Sequence, residues 1–127
     1  MKRVAVVCAV AALAVLVPAL ARAYGDFKAP GGGVYCGLDS LTKPFKMVCW
    51  RARTGFVVSM SPTGRVVVST SRHYKRFYED SAPTLHIGHT RSYGNSFLCS
   101  MAADGLTCKN YRKHGWFMGR TRGWRVF

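Results

Sequence analysis

The chain predicts an all-β domain: a small disulfide-stapled sandwich or partly open barrel of about seven or eight short antiparallel strands, preceded by a signal-peptide helix. Three observations predict it. Beyond residue 23 no stretch sustains a 3.6-residue apolar period, so no amphipathic helix is written there. β-branched runs alternate with clusters of Gly, Pro, Asn and Asp, the punctuation of strands and turns. Four cysteines, Cys36, Cys49, Cys99 and Cys108, sit where strand pairing can bring them together.

The first 23 residues read as a secretory signal. Lys2 and Arg3 charge the tip, Val4 to Ala21 carries no charged residue, Pro18 breaks a helix near its end, and Ala21-Arg22-Ala23 places small residues at −3 and −1 of a cleavage site. The competing reading is a retained anchor, because an apolar run of this length reaches the lower limit for spanning a bilayer. Its many alanines bury little area, and the cleavage site is well formed. Cys8 lies near the start of the run behind Val7, not at its end where a lipid-anchored cysteine belongs. Residues 1–23 are therefore expected to leave, and 24–127 to form one exported domain, secreted or held in the cell envelope.

Tyr24 to Gly33, with its Pro-Gly-Gly-Gly, reads as a loose lead-in. Cys36 and Cys49 flank a loop containing Pro44. Phe56–Met60 and Arg65–Ser69 are β-branched runs joined by Ser61-Pro62-Thr63-Gly64, with Pro and Gly at the second and fourth positions of a type I turn. Phe97–Met101 and Leu106–Lys109 flank Asp104-Gly105, a strong hairpin signal. If Met101 faces Leu106, then Cys99 faces Cys108, and a bridge closes with little backbone movement. The same argument holds with less force for Cys36 and Cys49, whose connecting loop is longer. Four cysteines allow three connectivities, and this pattern favours 36–49 with 99–108, each closure being worth roughly 2.5–3 kcal/mol. There is no C-x-x-C, so neither a zinc knuckle nor a redox motif is supported, and no sequence repeat or second domain is visible.

Two stretches carry a resemblance. Phe27-Lys28-Ala29-Pro30-Gly31-Gly32-Gly33-Val34-Tyr35-Cys36 is one. The other runs from Leu85-His86-Ile87-Gly88-His89-Thr90 through Phe97-Leu98-Cys99, Gly105-Leu106-Thr107-Cys108-Lys109-Asn110 and His114-Gly115-Trp116-Phe117 to Trp124-Arg125-Val126-Phe127. Together they resemble an uncharacterised family of small exported bacterial domains, a domain of unknown function. The resemblance covers a little over half of the domain and departs in the middle, where members carry another cysteine pair. It implies one exported domain with a disulfide-pinned C-terminal hairpin, and brings no reaction, ligand or cofactor.

Charge bounds the partners. The 127 residues hold 19 Lys and Arg against five Asp and Glu. Without residues 1–23 the remaining 104 keep 16 basic and five acidic side chains, a net charge of +11. Such a surplus attracts anionic polymers and surfaces, or is kept for solubility. Two stretches interleave cations with rings: 72–78, with Lys75 and Arg76, and 111–125, with Arg112, Lys113, Arg120, Arg122 and Arg125. Cations that reach phosphates beside rings that stack make a polyanion surface, although strand alternation with rings inward produces the same text. These seven residues are the expected contacts of a binding module, without catalysis, for an anionic polymer or surface: an envelope polymer, lipid headgroups or nucleic acid. An acidic protein is a further partner class, and the domain is expected to be a monomer.

The alternative is a small secreted basic nuclease. It would use His114 as acid or base with His86, His89 or Glu79, and Arg112 to hold the phosphate. The opposing reading is a histidine in a turn. His86-x-x-His89 has metal-like spacing, but on a strand these positions face opposite ways unless a turn intervenes. With carboxylates scarce, no metal and no cofactor are expected. No Gly-x-Ser-x-Gly elbow, phosphate loop or facing carboxylate pair is visible.

Overall fold

The structure, a computed structural model, describes residues 26–41, 43–71 and 81–127. The expected signal segment, with Lys75, Arg76 and Glu79, lies outside the described residues. The fold is all-β. Strands β1 (Phe27–Lys28), β2 (Val34–Asp39), β3 (Lys46–Arg51), β4 (Phe56–Met60) and β5 (Val67–Thr70) form one antiparallel sheet in sequence order. Strands β6 (Thr90–Tyr93), β7 (Phe97–Met101), β8 (Gly105–Asn110), β9 (Gly115–Gly119) and β10 (Trp124–Val126) form a second in the same manner. Among the described residues ten strands stand where about seven or eight were expected, because two- and three-residue edges such as β1 and β10 are too short for alternation to show. The lead-in is not loose either: Phe27 pairs with Cys36, and Gly31 to Gly33 turn the chain at positive φ.

Period-two alternation decides what faces inward. Val34, Cys36, Met47, Cys49, Val58 and Met60 of the first sheet meet Phe97, Cys99, Met101, Leu106, Cys108, Trp116 and Met118 of the second in one buried core. Among the described residues no strand pairing crosses between the sheets, and the described strands pack as two layers over that core.

Both expected disulfides are present, and Met101 does pair with Leu106 as Cys99 pairs with Cys108. Ala52 N–H donates to Gly33 O, and Ala102 N–H to Gly105 O. Counting by twos from those bonds places both cysteine pairs at non-hydrogen-bonded positions, where strands approach most closely. The Cα separation is 4.1 Å in each pair. The Sγ atoms of Cys36, Cys49 and Cys108 all lie within 4.8 Å of one another, so the two bridges stack across the centre of the core. With these sulfurs spent in disulfides, the group holds no thiolate to ligate a metal.

The second sheet repeats the first. Each is a five-strand meander with its bridge between the second and third strands and a methionine, Met60 or Met118, on the fourth. The halves clamp each other reciprocally. Arg51, at the end of β3, donates through Nη2 to Gly119 O (2.6 Å) and Gly123 O (3.3 Å) in the β9–β10 turn. Asn110, at the end of β8, donates through Nδ2 to Ser61 O (3.0 Å) and Gly64 O (2.7 Å) in the β4–β5 turn. The sequence showed no repeat because the two halves keep inward apolar character and register while sharing few identities. Arg51 and Asn110 also name the two ends of the sandwich.

Candidate polyanion-binding face

The register assigns the outer face of the second sheet. Inward positions alternate with Thr90 and Ser92 on β6, Leu98 and Ser100 on β7, Thr107 and Lys109 on β8, Phe117 on β9 and Arg125 on β10. No Asp or Glu is among them. A Cβ at Gly105 would come within 2.7 Å of the Phe117 ring, so the glycine lets that ring lie across β8. The Arg125 guanidinium sits 4.7 Å from the Phe117 centroid. Such a stacked cation keeps its donors free at its edge while the ring holds it in place.

Two turns extend the face. In the β8–β9 turn, Asn110 Oδ1 accepts from Arg112 N (3.0 Å) and His114 N (3.1 Å), and Lys113 takes a left-handed φ of 65°. The same Asn110 that grips the other sheet therefore shapes the turn that exposes Arg112 and Lys113. In the β9–β10 turn, Gly119 N–H donates to Gly123 O and Gly123 adopts positive φ, leaving Arg120 and Arg122 exposed. Arg112 and Lys113 lie at the Asn110 end, Arg120 and Arg122 at the Arg51 end, and Arg125 between them. Five residue steps from Gly105 to Asn110 separate the ends by about 17 Å.

Of the five expected cations, Arg125 stands on that face and the other four are exposed in the turns at its two ends, so they do not form a single cluster. Other cations stand elsewhere. Lys43 and Arg65 lie in connections at the Asn110 end, where Lys46 begins β3, and Arg53 lies in the β3–β4 turn at the Arg51 end. Asp26 precedes β1 and Asp39 ends β2 in the first sheet, whereas Asp104 stands in the β7–β8 turn at the Arg51 end, where its carbonyl accepts from Arg120 N–H.

The rings of 111–125 divide between core and surface. Trp116 is fully buried, whereas Tyr111 and Trp124 are exposed and Phe117 is half-buried on the outer face. Trp124 packs on Phe56 across the sheets, with centroids 4.7 Å apart. The first sheet's outer face differs: Val48, Trp50 and Val57 are buried there, with Tyr35 against them.

The histidines are not brought together as the nuclease reading requires. His86 and His89 precede β6 at the Arg51 end, and His114 stands in the β8–β9 turn at the Asn110 end. His114 is held there by its backbone, N–H to Asn110 Oδ1 and carbonyl to Asn110 N–H. A turn does bring His86 and His89 to one side: His89 N–H donates to His86 O, Gly88 has φ 86°, and the rings lie 6.1 Å apart. Among the described residues no third ligand joins them within coordination reach.

Two shifted groups lie away from the outer face of the second sheet. Burial lowers Arg51, whose Nε has no partner and which faces backbone carbonyls in place of a carboxylate. Burial raises the Tyr93 phenol well above its ordinary value, against the opposing influence of Arg91. Sequence reasoning missed both Arg51 and Asn110, because their partners are carbonyls 46 to 72 residues away, which carry no side-chain signal. Comparison with family models, curated proteins and solved structures found no match to this chain.

Proposed function

We propose that the domain is an exported binding module that lays a linear polyanion along the outer face of its second sheet. The observation that carries this reading is the composition of that face. Lys109 and Arg125 stand on it without a carboxylate, and each end is closed by a turn that exposes two further cations. A band of about 17 Å matches the spacing of several successive charges on an extended polymer. Arg125 on Phe117 supplies a preorganised donor in the middle, and the polar Ser and Thr positions offer neutral hydrogen bonds around it. Two disulfides in a domain of this size support an oxidising destination, in keeping with the export signal read in residues 1–23. Exported polyphosphates, nucleic acids and acidic glycans share the required chemistry.

The test is binding of a fluorescent single-stranded oligonucleotide and of a linear polyphosphate across a salt series. Six neutralised charges predict a slope of log K against log salt of about −4.2. Arg125→Ala and the pair Arg112→Ala with Lys113→Ala should each flatten it, whereas Arg53→Ala, off the band, should not. Binding that ignores salt, or that weakens equally for Arg53→Ala and Arg125→Ala, rejects this face.

A further inference from the structure

The first sheet ends in an edge of a different kind. β5 presents Val67 and Val68 with 58% and 41% of their surface exposed, and all four of its residues are exposed. Ser71 N–H donates to Gly55 O (2.7 Å), which fixes the parity of the β4–β5 ladder. Ser69 and Val67 are then the hydrogen-bonded partners of Val57 and Ser59. Val68 and Thr70 point their N–H and C=O groups the other way, toward the open edge. Among the described residues nothing pairs with that side.

Sheet edges are normally blunted by charge, brevity or cover. The other three edges follow that rule. β1 is covered, since Lys28 N–H donates to Pro83 O and Leu85 N–H to Lys28 O. β6 carries Arg91 and β10 carries Arg125. From Val66 to Ser71 the chain has no charge, proline or glycine. Its termini are nonetheless basic in their surroundings, with Arg65 leading into the strand and Arg53 in the turn beside Gly55. The described carboxylates lie elsewhere, two on the side of β1 and β2 and one in the other sheet.

We infer that β5 is a docking edge for an extended acidic peptide, which adds to the first sheet as a sixth strand. Backbone bonds to Val68 and Thr70 supply the pairing, the alternate apolar residues of the peptide lie on the core side beside Val68, and the carboxylates on its other face reach Arg65 and Arg53. Charge argues against a second copy as the occupant, because two strongly basic domains would be brought edge to edge.

The probe is a fluorescein-labelled peptide alternating valine with glutamate, read by anisotropy on the disulfide-bonded protein, with a proline-interrupted peptide of equal charge as control. The alternating peptide should bind at least tenfold more tightly. At saturation, amide exchange at Val68 and Thr70 should slow at least tenfold, while the ladder amides of Val67 and Ser69 change little. Val68→Pro removes an open-edge N–H and leaves the ladder bonds intact. It should weaken the alternating peptide at least tenfold while the unfolding midpoint stays near the parent's. Arg125→Ala should leave the alternating peptide unaffected, which separates this edge from the polyanion face. Equal binding of the two peptides, or unchanged exchange at Val68 and Thr70 in the parent protein, overturns the proposal even if Val68→Pro fails to fold. A concentration-dependent dimer that protects the same two amides without peptide overturns the choice of occupant.

Discussion

Asn110→Ala is expected to loosen the sandwich from one end. The side chain makes four hydrogen bonds, two donated to the carbonyls of Ser61 and Gly64 and two accepted from the amides of Arg112 and His114. Each ordinary bond contributes about 0.5–1.5 kcal/mol net. The amides lie in an exposed turn where water replaces the lost acceptor, so they contribute at the low end. The carbonyls face a residue only 5% exposed, so water replaces that donor less well. The sum is about 2–4 kcal/mol of lost stability, equivalent to a fall in Tm of 8 °C or more for a domain of roughly 100 residues. Asn110→Asp keeps the acceptor but turns a second oxygen toward two carbonyls. It should be at least as destabilising at pH 7 and partly recover as pH falls toward about 4, because the protonated carboxyl donates again. Guanidinium unfolding of both variants, beside Thr107→Ala as a surface control, measures this. A loss for Asn110→Ala no larger than the control's, or an Asn110→Asp variant as stable as the parent at pH 7, refutes the clamp.

Three other outcomes follow from the same geometry. Replacing Cys99 and Cys108 together by alanine reopens a loop with a sequence separation of 9; the closure alone is worth about 2.5 kcal/mol, so an unchanged unfolding midpoint would contradict the entropic account. The raised phenol of Tyr93 makes stability fall in alkali. The unfolded tyrosine ionises near pH 10 while the folded one resists, so the stability it contributes is whole below that pH and is lost above it, by about 1.4 kcal/mol per pH unit. Tyr93→Phe should remove that part of the alkaline decline, and a variant with the same pH profile as the parent counts against it. Gly115→Ala drives a Cβ into the Cys108 carbonyl and within 2.9 Å of Lys109 Cα; backbone cannot swing aside as a side chain does, so a loss above about 1 kcal/mol is expected by thermal unfolding.

Local patterns were legible wherever one strand meets its neighbour in sequence. The Asp104-Gly105 turn specifies the register of β7 and β8, and that register specifies the cysteine pair. Pro62 and Gly64 likewise announce the turn between β4 and β5, although β5 begins at Val67 and not at Arg65. The cations of 111–125 were legible as charge, but their placement was not. Strand β9 runs the length of the sheet between Lys113 and Arg120, so residues seven apart in sequence stand at opposite ends of the sandwich. The histidine pairing failed for the same reason. His86 and His114 are joined on paper by their chemistry, and separated in space by the length of β8.

Sequence by itself determined the class of the fold, the two disulfides, the basic character and the hairpins, because each follows from residues close along the chain or from a plain count. Tertiary structure decided the rest. Only packing shows that the two meanders repeat each other, since a core constrains apolar volume and register and leaves identity free. Only packing stacks the two bridges within 4.8 Å across the core. And only the sheet-to-sheet contact turns Arg51 and Asn110 from unremarked polar residues into reciprocal clamps, because a backbone carbonyl leaves no mark in the sequence of the residue that bears it.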